Sequence, residues 1–168
     1  MAAPKAYLDN NVVCAIGNDD LKAESEAFDT LLDLSGRGEV RLVTSQLSKE
    51  EMDRCSKQEY MKVPNRIFNL LKKDPFVQDH TLLGFHNQWD RTGGSSCPLI
   101  EDDPYSTELR RIGLDRTDAH HVMLAIRNGC DYFVTCDAKS ILKYRATVEA
   151  QYPAIKLVKP SELVALLK

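Results

Sequence analysis

The chain has 168 residues, 43% hydrophobic and 28% charged, which is the balance of an ordinary globular protein and enough length for one domain with a sizeable core. No apolar run approaches the ~18 residues of a membrane span, and five cysteines without a CxxC pair argue against a disulfide framework or a structural zinc site. A net charge of −3 does not exclude nucleic acid, because local patches decide such contacts and a metal-binding acidic site adds negative charge of its own.

The N-terminal MAAPKAYLDNNVV lacks the basic and then apolar regions of a signal peptide, so reduced cysteines and a cytoplasmic location are expected. KAYLD reads as a first strand, Asn10 and Asn11 as a turn, and VVCAI as a short helix. Asn18 or Asp19 is placed to cap a helix through about Asp33, with Leu21, Ala27, Phe28, Leu31 and Leu32 near helical spacing and Gly36 and Gly38 stopping it. EVRLVT, at 39–44, is the second strand, and Leu47, Glu51 and Cys55 then fall on one face of a helix over 46–58. A further helix is expected over about 64–73, opening on Pro64.

From 74 to 113 the pattern loosens into turn formers such as DRTGGSSCP, which predicts an elaboration of one 1–168 domain, with a short helix after Pro104. Thr117 or Asp115 caps a helix running to Asn128, and Gly129 ends it. CDYFVT is a buried strand, AKSILKYRATVEAQY a helix, IKLVK the last strand, and Pro160 with Ser161 opens a final helix.

Strands alternating with helices predict an α/β fold in which a mainly parallel sheet is covered on both faces. Ligands of such sheets bind beyond the C-terminal strand ends, where helix N-termini also lie. Asp9 closes the first strand, Glu51 lies early in the helix after the second, Asp118 opens its helix, and Asp137 follows CDYFVT. Each acid alone has an ordinary explanation as a turn former, a helix-dipole partner or a solvated charge. Four together repel one another unless a cation neutralises them. All-oxygen ligands suit Mg²⁺ or Mn²⁺ rather than zinc, and such ions serve phosphodiester hydrolysis by clamping the attacking and leaving oxygens.

Three segments also resemble a family. YLDNNV resembles the opening D-x-N motif of PIN-domain nucleases, VTSQLSKEEM their second strand and glutamate-bearing helix, and DRTDAHHVMLAIRNGCDYFVTCD their closing D…T-x-D segment. The resemblance covers 5–59 and 114–168 and lapses between them. It implies a three-layer α/β/α PIN fold and a ribonuclease site in which Asp9, Glu51, Asp118 and Asp137 are the metal-binding and catalytic acids, supported by Asn11 and Thr135. Cleavage by metal-activated water would leave 5′-phosphate and 3′-hydroxyl ends. The family includes toxins of toxin–antitoxin modules and stand-alone RNA-processing factors. The partners it admits are thus an RNA substrate, an inhibitory antitoxin or a second copy of the chain, with no membrane. Asn10 stands where a threonine is frequent, and Glu51 is preferred over Glu50 because it shares a helical face with Leu47 and precedes apolar Met52.

Arg110, Arg111, Arg116 and Lys139, with Lys143 and Arg145, flank the acids and are candidate RNA-phosphate contacts, although a solvated surface explains each alone. Trp89 is a packing anchor or a stacking platform for a base. His120 and His121 are read as packing or surface residues, Cys136 as a small filler, and Asp115 as a helix cap rather than a ligand. The competing reading is a PIN-like scaffold that binds RNA or protein without turnover, against which stands the retention of all four acids. An aspartyl-phosphate receiver would want paired acids after the first strand, where YLDNNV offers one acid and two amides.

Overall fold

The computed structural model describes residues 2–14, 19–45, 47, 48, 51 and 103–168. Four short strands, β1 (Lys5–Leu8), β2 (Arg41–Val43), β3 (Tyr132–Val134) and β4 (Lys156–Val158), form one all-parallel sheet in the order β2-β1-β3-β4. The register sets Tyr7 beside both Val43 and Phe133. Six helices belong to the described residues: α1 (Asn10–Cys14), α2 (Lys22–Gly36), α3 (Pro104–Ile112), α4 (Arg116–Arg127), α5 (Arg145–Gln151) and α6 (Pro160–Leu167).

Strand side chains alternate between two faces. Tyr7, Val43, Phe133 and Leu157 enter one cluster with Leu109 of α3, Val122 and Met123 of α4 and Val148 of α5. Ala6, Leu8, Leu42, Val134 and Val158 enter the other with Val12 of α1, Phe28 and Leu31 of α2 and Leu163 of α6. The result is the α/β/α layering expected from the alternation of elements. With both faces covered, each fully buried side chain such as Phe28, Leu31 or Phe133 contributes ~1.5–3 kcal/mol.

Local differences from the sequence reading have local causes. Asn18 lies outside the described residues, Asp19 begins a 3₁₀ turn (Asp19–Leu21), and Leu21 at the N-cap of α2 supplies no side-chain bond. That helix also runs past Asp33 to Gly36, because Leu34 is a further buried position on its core face. Asn10 and Asn11 form the first turn of α1 rather than a separate turn. AKSILKYRATVEAQY is not one helix: Asp137 accepts the backbone N–H groups of Lys139 and Ser140, a 3₁₀ turn follows at Leu142–Tyr144, and α5 starts only at Arg145. Side-chain acceptance of these N–H groups competes with helix formation. Within the 74–113 segment, α3 starts on Pro104 behind an Asp103 cap and buries Leu109 against α4, so this end of the segment is part of the packed body. The helices expected at 64–73 and beyond residue 51, with Cys55, Trp89 and the GGSSCP turn, lie outside the described residues. Among the described residues no helix is long and apolar enough to cross a membrane.

Candidate functional site

The strand order places a switch point between β1 and β3. From β1 the chain reaches β2 on one side, while β3 lies on the other, so the connections diverge and leave a crevice at the C-terminal strand ends. Asp9 and Thr135 are the residues that immediately follow these two central strands. The Asp9 N–H donates to the Val134 carbonyl at 3.0 Å and the Thr135 N–H to that of Val158 at 3.0 Å, so both are held in ladder geometry as the strands end.

Asp9 is buried, 6% exposed. Its Oδ2 accepts from Asn11 Nδ2 at 2.6 Å and from the Thr135 hydroxyl at 2.9 Å, and its Oδ1 accepts the Asn10 N–H at 2.8 Å. Asn11 in turn uses Oδ1 to accept the Cys136 N–H at 2.8 Å, and Thr135 Oγ1 accepts the Asp137 N–H at 3.1 Å. Asn11 and Thr135 therefore join the ends of β1 and β3 and orient Asp9.

Asp137 is tied into its own turn. Its Oδ1 accepts from Lys139 N at 2.9 Å and Ser140 N at 2.8 Å, and its Oδ2 from the Ser140 hydroxyl at 2.7 Å. Partial burial pushes its pKa upward, but the Ser140 and Lys139 donors outweigh it and hold the carboxyl below its ordinary value. Ser140 also lies near enough to Asp118 to oppose the rise of its pKa. The sequence reading missed Ser140. Its signal is the spacing Asp137-x-x-Ser140, a side-chain-stabilised turn.

Asp118 lies in the first turn of α4, behind the Asp115 cap, which accepts the Asp118 N–H at 2.9 Å. Burial raises its pKa above the ordinary carboxyl value. Ser140 opposes that rise, while the charges of Asp115, Asp9 and Asp137 add to it. The pKa of Asp9 is also raised, again chiefly by burial, with His121, Thr135 and Asn10 opposing and Glu51 adding. Neighbouring anions, the cause expected from the cluster of acids, are thus secondary to burial at both residues. Asp118 Oδ2 is buried and has no hydrogen-bond partner among the described residues.

Glu51 is helical and reaches the same edge, accepting from Asn10 Nδ2 and from His121 Nε2, the latter at 3.0 Å. Asn10 thereby has a bond to the glutamate. Glu50 lies outside the described residues. His121 was expected only to pack or to face solvent; it is buried, yet bonded to Glu51. Nothing in the local sequence announces this, because its partners Tyr7 and Glu51 are 114 and 70 residues away.

Asp9, Glu51, Asp118 and Asp137 thus share one edge, where Thr135 joins Asp9 to Asp137 and the acids lie within one another's fields. Among the described residues, however, no group of three or more His, Cys, Asp or Glu side chains stands ready to hold an ion. A hydrated Mg²⁺ or Mn²⁺ fits this arrangement, since such an ion keeps several waters and needs only one or two carboxylates directly. Among the described residues Asp118 Oδ2, like the neighbouring Asn10 Oδ1, is a buried oxygen without a partner and so is open to a cation or its water, and every other acid at the edge offers oxygen. Cys136 does not fit as a ligand: burial pushes its thiol up to about 11, and its surroundings are hard oxygen donors.

Beside the start of α4, Thr107, Arg110, Arg111, Leu114, Asp115 and Arg116 line an open cleft of about 490 Å³. Lys139 is exposed. Arg145 differs from the expectation of a phosphate contact, being engaged by Glu162 through Nη1 at 3.0 Å and Nη2 at 2.6 Å, and Lys143 lies over the Tyr144 ring.

Fold and edge together define an α/β/α domain with an acidic switch-point crevice. No protein-family model, no curated protein sequence and no solved structure matches the chain.

Proposed function

We propose that this chain is a PIN-type ribonuclease that uses Mg²⁺ or Mn²⁺ to hydrolyse RNA phosphodiester bonds. The observation that carries the reading is Asp118 Oδ2, a buried carboxylate oxygen without a partner, on an edge that also presents Asp9, Asp137 and Glu51. A structural carboxylate in such a place would be bonded or replaced by an amide, since an unsatisfied buried acceptor costs ~1–3 kcal/mol. The motif resemblance in YLDNNV and DRTDAHH…VTCD points to the same residues.

In this reading Asp118 would hold a hydrated cation, with Asp9 and Asp137 accepting from its waters, and Glu51 would orient the attacking water. A divalent ion there supplies Lewis acidity, lowering the pKa of water and stabilising charge on the phosphate. Thr135 and Asn11 fix the Asp9 carboxylate, and Ser140 fixes that of Asp137. The cleft with Arg110, Arg111 and Arg116 offers cations to the backbone phosphates next to the acidic edge, supplying affinity without reading bases. Attack by water on phosphorus leaves a 5′-phosphate and a 3′-hydroxyl. A cytoplasmic toxin restrained by an antitoxin and a stand-alone RNA-processing factor both suit this chemistry, with a homodimer as a further form.

The test is incubation of purified protein with a pool of structured and single-stranded RNAs in Mg²⁺, in Mn²⁺ and in chelator, followed by sequencing of the ends. Cleavage in either ion but not in chelator, with 5′-phosphate ends, is expected. RNA binding with no cleavage in either ion would make the chain a scaffold instead.

A further inference from the structure

We propose that His121 is a positioning residue: anchored by Tyr7, it aims the Glu51 carboxylate at the acidic edge. The role assigned to Glu51 rests on the ribonuclease reading; the aiming itself rests on geometry. Asp118 and His121 are three apart on α4 and so project from one face of the helix, which delivers a carboxylate and an imidazole to the same region. The imidazole is 2% exposed. Its Nδ1 lies 2.7 Å from the Tyr7 hydroxyl and its Nε2 3.0 Å from Glu51 Oε2, so both ring nitrogens are engaged and the ring plane is fixed.

Tyr7 is a rigid anchor. It is fully buried in the centre of the sheet, its ring stacked on Phe133 at 5.4 Å, and its hydroxyl lies 2.7 Å from Ser45 Oγ and 3.4 Å from Ser48 Oγ. Ser45 Oγ also accepts the Ser48 N–H at 3.2 Å, and Leu47 and Ser48 are helical. The same phenol therefore touches Ser45, Ser48 and the His121 ring, and fixes how His121 is turned.

The arrangement holds whichever charge His121 carries. Glu51 as a carboxylate offers only acceptors, so Nε2 bears the proton between them. With a neutral ring, Tyr7 donates to Nδ1 and accepts from Ser45. With a charged ring, Nδ1 donates to Tyr7 and Tyr7 donates to Ser45. A hydroxyl that donates and accepts makes both states possible, and the Glu51 contact is the same in each. Partners one shell out from metal-binding groups orient them in this way, and their loss costs about 10–100-fold in metal affinity or activity.

A histidine that merely fills the core predicts lost stability and no coupling to Glu51. The test separates the two on the full chain, with folding of every variant checked by circular dichroism. In metal-free protein, long-range ¹H–¹⁵N spectra of the histidine rings should show Nε2 protonated in His121, with resonances that move in Glu51→Gln and in Tyr7→Phe. With Mn²⁺ and RNA, His121→Ala should lower kcat about 10–100-fold with little change in KM. His121→Gln, whose amide nitrogen reaches the Nε2 position, should restore most of it, and His121→Asn should not. In the Glu51→Gln background, His121→Ala should cost nothing more, the non-additivity of two residues acting as one unit. Effects that add, or His121 resonances indifferent to Glu51→Gln, overturn the positioning role. A wild type that neither cleaves RNA nor binds Mn²⁺, but keeps the spectral coupling, overturns the ribonuclease reading and leaves the positioning role standing.

Discussion

Asp118→Asn should make the metal-free protein more stable and the metal-loaded protein less active. The substitution keeps shape and removes an anion whose buried Oδ2 has no partner. The amide would be unpaired there too, so the gain comes from removing the charge; Asp118 is only half-buried, and solvent screening leaves a benefit of about 1 kcal/mol. For a domain of this size that is a rise in Tm of about 2–4 °C in chelator. The pH dependence follows from the raised pKa. Above its folded-state pKa the ionised Asp118 destabilises the fold relative to the unfolded chain, and the penalty fades as pH falls through that pKa. Below the ordinary value of 3.8 both states are protonated, so the gap between variant and wild type closes in acid. Saturating Mn²⁺ should reverse the order: at ~100 times Kd the wild type gains about 2.7 kcal/mol, which the variant largely forgoes. Turnover should fall ~100-fold, or about 2.7 kcal/mol of transition-state stabilisation, while RNA affinity holds or rises because one charge repelling the phosphates is gone. Scanning calorimetry with and without Mn²⁺, across pH, reads the stability terms, and cleavage of labelled RNA reads the rate. A variant less stable than wild type in chelator, or one with an equal Mn²⁺ shift and full turnover, refutes Asp118 as a strained cation ligand.

Replacing Arg110, Arg111 and Arg116 together by Gln should lower RNA affinity uniformly across sequences and flatten the plot of log K against log salt by about 0.7 per lost phosphate contact on a single strand. Fluorescence anisotropy between low and moderate salt measures this, and an unchanged slope would remove the cleft from the RNA path. Gly113→Ala should destabilise by more than ~1 kcal/mol, since φ is +120° there and an added Cβ would meet the Tyr144 ring at 2.7 Å. Urea denaturation monitors the loss, and a neutral result would mean that Tyr144 yields easily.

The layer architecture was legible because strand and helix periods alternate cleanly, and the acids Asp9, Asp118 and Asp137 because each stands at the end or start of an element whose own residues announce it. Asp115 was legible as a cap for the same reason. What escaped the reading depends on partners distant in sequence or on local competition. His121 looks like any helix residue until Tyr7 and Glu51 are brought to it across the sheet. The helix start after Asp137 was set too early because apolar spacing is blind to a carboxylate that captures two backbone N–H groups. The pairing of Arg145 with Glu162 depends on α5 and α6 meeting, which no local pattern reports.

The adjacency of β1 and β3 also governs when the crevice can exist during synthesis. Asp9 receives the Thr135 hydroxyl across 126 positions of chain, and the Lys5 N–H reaches Asp131 across the same separation. Contacts of this range form late, because the loop between them must close before any pairing rewards it. The N-terminal portion emerging from a ribosome carries Asp9 and Asn11 but neither Thr135 nor the strand that flanks it. A chain lacking the last third therefore carries Asp9 without the Thr135 hydroxyl that orients its carboxylate.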